Sequence, residues 1–234
     1  MQKQKEIVLM FDSIARSYDL VNRILSFGID KKWRKEAIKE SFSFIDKEKI
    51  KILDVACGTG DMIKNWIKFS NTFNKKIEVK GLDPSREMLS IAKEKLPDIE
   101  FIQGFATEIP FENETYDIIS ISFGIRNVLE TQKAIDEFFR ILTPKGILLI
   151  LEFTKTDKKN RLRNCVDFYT EKFSPVIGGI LSKNKNAYKY LPNSIQNFYT
   201  KDELCDMMEN SGFEIKKVKN FNFGQVSMLI AQKL

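Results

Sequence analysis

The period of apolar and polar positions changes three times along the chain. Over residues 5–27, Val8, Phe11, Ile14, Ala15, Tyr18, Val21 and Leu25 recur at helical spacing, and Gly28 ends the run. Residues 31–44 predict a second helix. From Ile50 onward, short apolar runs alternate with helical ones. Strands are expected at 50–55, 77–82, 99–103, 116–122 and 146–153, and helices at 62–70, 86–95 and 131–142, with Thr143-Pro144-Lys145-Gly146 as a turn. Such alternation predicts an α/β fold, with a mainly parallel sheet covered by helices on both faces. The last third changes character. Residues 158–173 look helical, and 174–194 carry Pro175, Gly178, Gly179 and Pro192 and read as irregular. Residues 201–211 look helical, and 213–219 and 223–232 look like two closing strands, seven in all. Without repeats, low-complexity segments or a linker, residues 1–234 read as one domain. Within it, 1–45 form an N-terminal helical cap, and 155–198 an insertion over the carboxyl ends of the strands, where ligands bind.

Composition narrows the chemistry. The chain has no histidine, which removes the usual general base and every Ser-His or Cys-His nucleophile. Cys57, Cys165 and Cys205 are odd in number and widely spaced, which suggests neither a disulfide framework nor a zinc site and fits a reducing cytoplasm. No apolar run is long enough to cross a bilayer, and the polar start is not a signal peptide. The net charge of +6 is local: Lys155 to Lys189 holds nine basic residues against three acidic ones. Interleaved with Phe168, Tyr169, Phe173 and Ile177, that stretch suits an anionic membrane surface, an RNA or simply solvent.

The chemistry concentrates in one βαβ unit. The strand at 50–55 holds Asp54 near its end, and the loop Ala56-Cys57-Gly58-Thr59-Gly60-Asp61 follows. The next strand leads into Asp83. Small residues let backbone approach a ligand closely, and Asp83 stands where a carboxylate can accept both hydroxyls of a ribose. The dinucleotide fingerprint is absent, because Asp54 or Ala56 stands where one of its glycines would be and Ile63, three residues past Gly60, stands where the third would be, and no Lys-Ser or Lys-Thr marks a phosphate loop. An acid heading the loop suits a cationic, phosphate-free ligand, and S-adenosylmethionine fits. An ordinary βα turn would explain the glycines, but not the acids at both strand ends.

The loop resembles motif I of the class I methyltransferases. By that resemblance Asp54, Gly58, Thr59 and Gly60 line the methionine end, Asp83 takes the ribose, Phe105 and Ala106 flank the adenine, and Ser122 lies under the cofactor. Phe105 departs from the usual Asp or Asn. It either stacks on the adenine or faces the core, the core being the first choice.

A narrower resemblance covers nearly the whole chain, from about residue 10 to 233. Ser122-Phe123-Gly124-Ile125-Arg126-Asn127-Val128 is similar to a signature of the ubiquinone/menaquinone biosynthesis C-methyltransferase family. So are Met10 to Ala15, Tyr18-Asp19, Asn22, Ser26-Phe27-Gly28, Asp30, Trp33-Arg34, Leu151-Glu152-Phe153 and Tyr188 to Ile195. Arg16 replaces a frequent Pro, and Leu229 stands at a position that often carries His. The resemblance implies a doubly wound, seven-stranded Rossmann-like sheet with an antiparallel last strand. It also implies methylation of a ring carbon on a prenylated hydroquinol, with S-adenosylmethionine as donor. Demethylmenaquinol is the first choice of ring. A methoxy-benzoquinol, or both rings, is the alternative, ahead of another small-molecule methyltransferase or a non-catalytic scaffold.

In that reading Arg126 stabilises the phenolate that makes the ring carbon nucleophilic, unless it serves only as a salt-bridge partner, with Glu152 the candidate. Asn127 and Tyr190 orient the ring. Asp19 and Asp30 are candidate proton acceptors, although capping or ion pairing suits each better. The prenyl tail is assigned to the segment from Phe168 to Ile195, with peripheral contact at the inner face of the cytoplasmic membrane. A nucleic-acid partner is not expected, because no N-P-P-Y type base-binding motif is present. A homodimer is left open.

Overall fold

A computed structural model describes residues 2–26, 28–155 and 185–234. Two helices open the chain, α1 (Gln2–Leu25) and α2 (Asp30–Ser43). The alternating part follows as β1 (Lys49–Val55), α3 (Asp61–Thr72), β2 (Lys76–Asp83), α4 (Arg86–Lys95), β3 (Glu100–Gln103), β4 (Tyr116–Ser122), α5 (Thr131–Ile141) and β5 (Leu142–Phe153). The described chain resumes in α6 (Lys185–Gln196) and α7 (Lys201–Asn210), then β6 (Phe213–Phe221) and β7 (Val226–Lys233).

The seven strands lie in the order β3-β2-β1-β4-β5-β7-β6. The pairs from β3 to β5 are parallel, and β7 runs antiparallel to both β5 and β6. The expected sheet is therefore present, with β7 as its reversed strand. Side chains alternate between two cores, as the pleat requires. Ile50, Ile52, Ile118, Leu149 and Met228 pack under α2, α3 and α4 with Trp33, Phe42, Trp66 and Leu89. Leu53, Val55, Ile119, Leu148 and Leu229 pack on the other face with Ile135 and Phe138 of α5 and Leu204 of α7. Strands buried on both faces read as unbroken apolar runs, as in Ile147 to Leu151.

Several expectations need correction. Residues 185–194, expected to be irregular, belong to α6 despite Pro192, which is buried. The missing proline N–H is tolerated where packing holds the helix. The turn at 143–146 is absorbed into the start of β5, with the bend concentrated at Lys145 (φ +64°). β7 begins later than expected, because Asn222–Gly224 forms a 3-10 turn. The expected helix at 158–173, and most of the 155–198 insertion, lie outside the described residues. Among those described, no helix is long and apolar enough to cross a membrane.

Candidate active site

The crevice opens where the strand order reverses. β1 has β2 on one side and β4 on the other, so the loops leaving β1 and β4 part at the carboxyl edge. A cavity of about 510 Å³ fills that space. Ala56, Gly58, Asp83 and Ser85 line it from below, Phe105, Ala106, Phe123 and Asn127 from the sides, and Ile7, Val8, Phe11 and Tyr18 of α1 from above. α1 is fastened at both ends of the crevice. Gln4 Nε2 donates to Asn127 O at 2.9 Å, Ser85 Oγ to Asp12 Oδ1 at 2.5 Å, and Thr59 Oγ1 to Asp19 Oδ1 at 2.5 Å.

Backbone geometry brings the two loops together. Ala56 and Phe123 both adopt positive φ, +51° and +58°, a conformation costly for side chains and concentrated at functional sites. Gly58 (φ +55°) has nothing within 4 Å of where its Cβ would stand, so it presents bare backbone to the cavity. Gly60 differs from expectation. Its Cα faces Leu96, Ala92 and Phe101, and its N–H donates to Cys57 O at 3.0 Å. It caps α3 in the left-handed region, and a Cβ there would press on Leu96, so the side of Gly60 away from the loop backbone is packed.

Asp83 is held by two backbone donors. Gly58 N donates to Oδ2 and Ser85 N to Oδ1, both at 2.8 Å. Burial nevertheless pushes its carboxyl up to about 6. Each oxygen keeps a second lone pair for a ribose hydroxyl. Phe105 is 42% exposed and lines the cavity, which overturns the core alternative. Ala106 lies beside it, nearly buried.

Next to the main cavity, a small hollow is lined by Tyr18, Asn22, Arg34, Gly58, Thr59 and Ser122 among others. Trp66 Nε1 donates to Ser120 Oγ at 3.0 Å, and Ser120 Oγ donates to Asp54 Oδ1 at 2.6 Å. Burial lifts the Asp54 carboxyl to about 7. Arg34 Nη1 donates to Ser122 Oγ at 2.6 Å. Three buried side-chain atoms lack a hydrogen-bond partner among the described residues: Asp54 Oδ2, Arg34 Nε and Asn127 Oδ1. Native interiors leave few such atoms. Here they are a guanidinium donor, a carboxylate acceptor and an amide acceptor: Asn127 lines the main cavity, Arg34 lines the small hollow with Nε 3.7 Å from Asp30 Oδ2, and Asp54 is buried behind the loop against Ser120. That set fits S-adenosylmethionine, with Asp54 able to take its ammonium, Arg34 its carboxylate and Asp83 its ribose. Arg34 belongs to the Trp33-Arg34 segment of the family resemblance, which assigns it no role. A lone Arg on a Lys-rich helix gives no such signal until Ser122 is placed against it.

Arg126 and Asn127 are neighbours that face different ways. Asn127 lines the cofactor cavity. The Arg126 side chain, 5% exposed, pairs through Nη1 with Glu152, whose side chain is fully buried, and donates through Nε to Ser194 Oγ at 2.8 Å. The salt-bridge alternative for Arg126 is thus present. Burial raises the phenol pKa values of Tyr18 and Tyr190, and both feel the charges of Arg126 and Glu152. Tyr190 of α6 and Tyr18 of α1 thus lie within electrostatic reach of the Arg126–Glu152 pair. Asp19 and Asp30 are occupied. Asp19 pairs with Lys95, and Asp30 receives Arg23 Nη1 at 2.7 Å and Ser26 Oγ at 2.9 Å. Leu229 is fully buried in the core, so its position does not face the crevice.

Residues 1–233 match the ubiE/COQ5 methyltransferase family. The chain is 52% identical over 235 residues to the ubiquinone/menaquinone biosynthesis C-methyltransferase UbiE of Campylobacter jejuni strain 81-176, covering 100% of both chains. It is 39% identical over 212 residues to the demethylmenaquinone methyltransferase of Thermotoga maritima, covering 91% of this chain and 90% of that one. Among solved structures, it resembles an S-adenosylmethionine-dependent methyltransferase of Thermotoga maritima, described as a possible histamine N-methyltransferase. The TM-score is 0.65 at 17% identity, over 97% of this chain and 100% of that one. That likeness concerns the fold alone. Sequence, sheet order and the polar fittings of the crevice agree: the chain belongs to the ubiE/COQ5 methyltransferase family, and S-adenosylmethionine is its methyl donor.

Proposed function

We propose that this C-methyltransferase of quinone biosynthesis acts on demethylmenaquinol, methylating a ring carbon with Arg126 beside the reacting ring. The observation that carries the reading is the buried Arg126–Glu152 pair with Tyr18 and Tyr190 around it, against a cofactor crevice that Tyr18 also lines. The C. jejuni relative is named for both quinones and the T. maritima relative for demethylmenaquinone, which supports menaquinone as the first choice and a methoxy-benzoquinol as the alternative.

S-adenosylmethionine supplies an electrophilic methyl group. A quinol ring carbon attacks it readily only after a neighbouring hydroxyl loses its proton, and an unperturbed phenol has a pKa of about 10. A fixed guanidinium in a water-poor site favours the phenolate. Arg126 fills that role, Tyr190 flanks the ring, and Asn127 Oδ1 orients the groups at the crevice mouth. The prenyl tail is assigned to the segment from Phe168 to Ile195, most of which lies outside the described residues, and its chemistry calls for peripheral contact with an anionic membrane surface.

The test is a competition. Short-tailed demethylmenaquinol and a demethylated methoxy-benzoquinol are offered together under anaerobic conditions, and product masses are read. Preferential methylation of the naphthoquinol supports the reading. Preference for the benzoquinol moves the enzyme to ubiquinone synthesis, and methylation of neither removes the substrate proposal.

A further inference from the structure

We propose that Glu152 is the base that removes the quinol hydroxyl proton, so that Arg126 exchanges its bond to Glu152 for one to the phenolate. The inference rests on the quinol reading above and supplies the proton acceptor that the reading lacks.

The surroundings leave few other acceptors. The chain has no histidine. Asp19 is held by Thr59 and Lys95, and Asp30 by Arg23 and Ser26. Asp54 sits behind the loop at the methionine end, where an ammonium needs it. Glu152 is the carboxyl group in direct contact with Arg126. Its other partners are backbone donors: Phe153 N reaches Oε1 at 2.7 Å and Arg126 N reaches Oε2 at 3.2 Å. Those donors remain when the guanidinium moves, so the carboxyl keeps its place through the exchange.

Charge accounting favours the exchange. A phenolate formed alone in a buried site would add an uncompensated charge. Proton transfer to Glu152 turns a guanidinium–carboxylate pair plus a neutral phenol into a guanidinium–phenolate pair plus a neutral carboxylic acid. The net charge does not change. Arg126, from the turn after β4, is in contact with Glu152, and the phenols of Tyr18 from α1 and Tyr190 from α6 feel its charge. Burial pushes the Glu152 carboxyl above its usual range, against the opposing pull of Arg126, which brings it toward the phenol it must deprotonate.

The step balances. The hydroxyl O–H bond breaks and its proton joins Glu152. The ring carbon forms a C–C bond as the donor's S–CH3 bond breaks, leaving a neutral thioether. The methylated carbon then loses its own proton to water, and Glu152 returns its proton to the oxygen, restoring the aromatic quinol.

The test uses Glu152→Gln with two rings, demethylmenaquinol and a ring-halogenated analogue whose hydroxyl is more acidic. The expected result is a fall in kcat of roughly 100-fold or more on the parent ring, a much smaller fall on the acidic ring, and unchanged S-adenosylhomocysteine affinity. An equal loss on both rings overturns the proposal and leaves Glu152 a holder of Arg126. Should the variant fail to fold, wild-type protein decides. With S-adenosylhomocysteine present, bound quinol should absorb as a phenolate, while the binding enthalpy stays independent of the buffer's ionisation heat. Release of one proton to buffer, or no phenolate band, refutes it. Wild-type protein that turns over neither ring sinks the quinol reading instead.

Discussion

Ser120 Oγ donates to Asp54 Oδ1 at 2.6 Å and leaves Asp54 Oδ2 buried without a hydrogen-bond partner among the described residues. A carboxyl raised to about 7 in the ligand-free protein must lose its proton to hold an ammonium. S-adenosylhomocysteine affinity should therefore weaken below pH 7, approaching roughly tenfold per pH unit if this group alone titrates. Stability of the ligand-free protein runs the other way. The folded value lies above the unfolded one, so the stability this group contributes at acid pH is lost as pH rises toward 7. Asp54→Asn should bind the ligand more weakly, yet melt higher than wild type at pH 8, with the gap closing toward pH 5. Calorimetric titration and thermal melts across that range check both parts.

In the reading in which Asp54 takes the donor's ammonium, Arg34 would take its carboxylate, from a position where Nη1 donates to Ser122 Oγ at 2.6 Å. Arg34→Met should weaken S-adenosylhomocysteine binding by roughly 10- to 100-fold, the loss of a charge-assisted contact. Affinity for 5′-methylthioadenosine, which lacks the amino-acid end, should barely change. Equal losses for both ligands would show that Arg34 only props up α2 against β4.

The sheet was legible because parallel strands buried on both faces leave runs such as Ile147 to Leu151, and Asp54 and Asp83 mark the ends of two of them. The closing helix was harder to read. Pro192 and the glycines before it argue for irregular chain, while the burial of Pro192 and the contact of Ser194 with Arg126 depend on partners far away in sequence. Phe105 misled for a related reason. An aromatic residue after a strand is usually core, and only the depth of the crevice leaves this one exposed. Gly60 belonged to the expected loop, but the space beside it is set by Leu96 at the C-terminal end of α4.

Phe105→Ala should lower S-adenosylhomocysteine affinity by roughly 2- to 10-fold, in line with an aromatic contact of about 0.5–1.5 kcal/mol. The melting temperature should hardly move, because the ring is 42% exposed. A large loss of stability would return Phe105 to the core.

The Arg126–Glu152 pair predicts a non-additive stability pattern. Arg126→Met alone strands a buried carboxylate and should cost about 3–5 kcal/mol. Adding Glu152→Met should restore part of that loss, while activity stays abolished in both variants. Denaturant unfolding of the two single variants and the double variant measures the coupling.

The central claim is that the methyl group goes to a ring carbon. The most direct measurement supplies donor labelled with carbon-13 in its methyl group and reads the product by NMR. The account predicts a label bonded to a ring carbon, with both hydroxyls still free. A label on a hydroxyl oxygen, or an unlabelled quinol beside unspent donor, would contradict it.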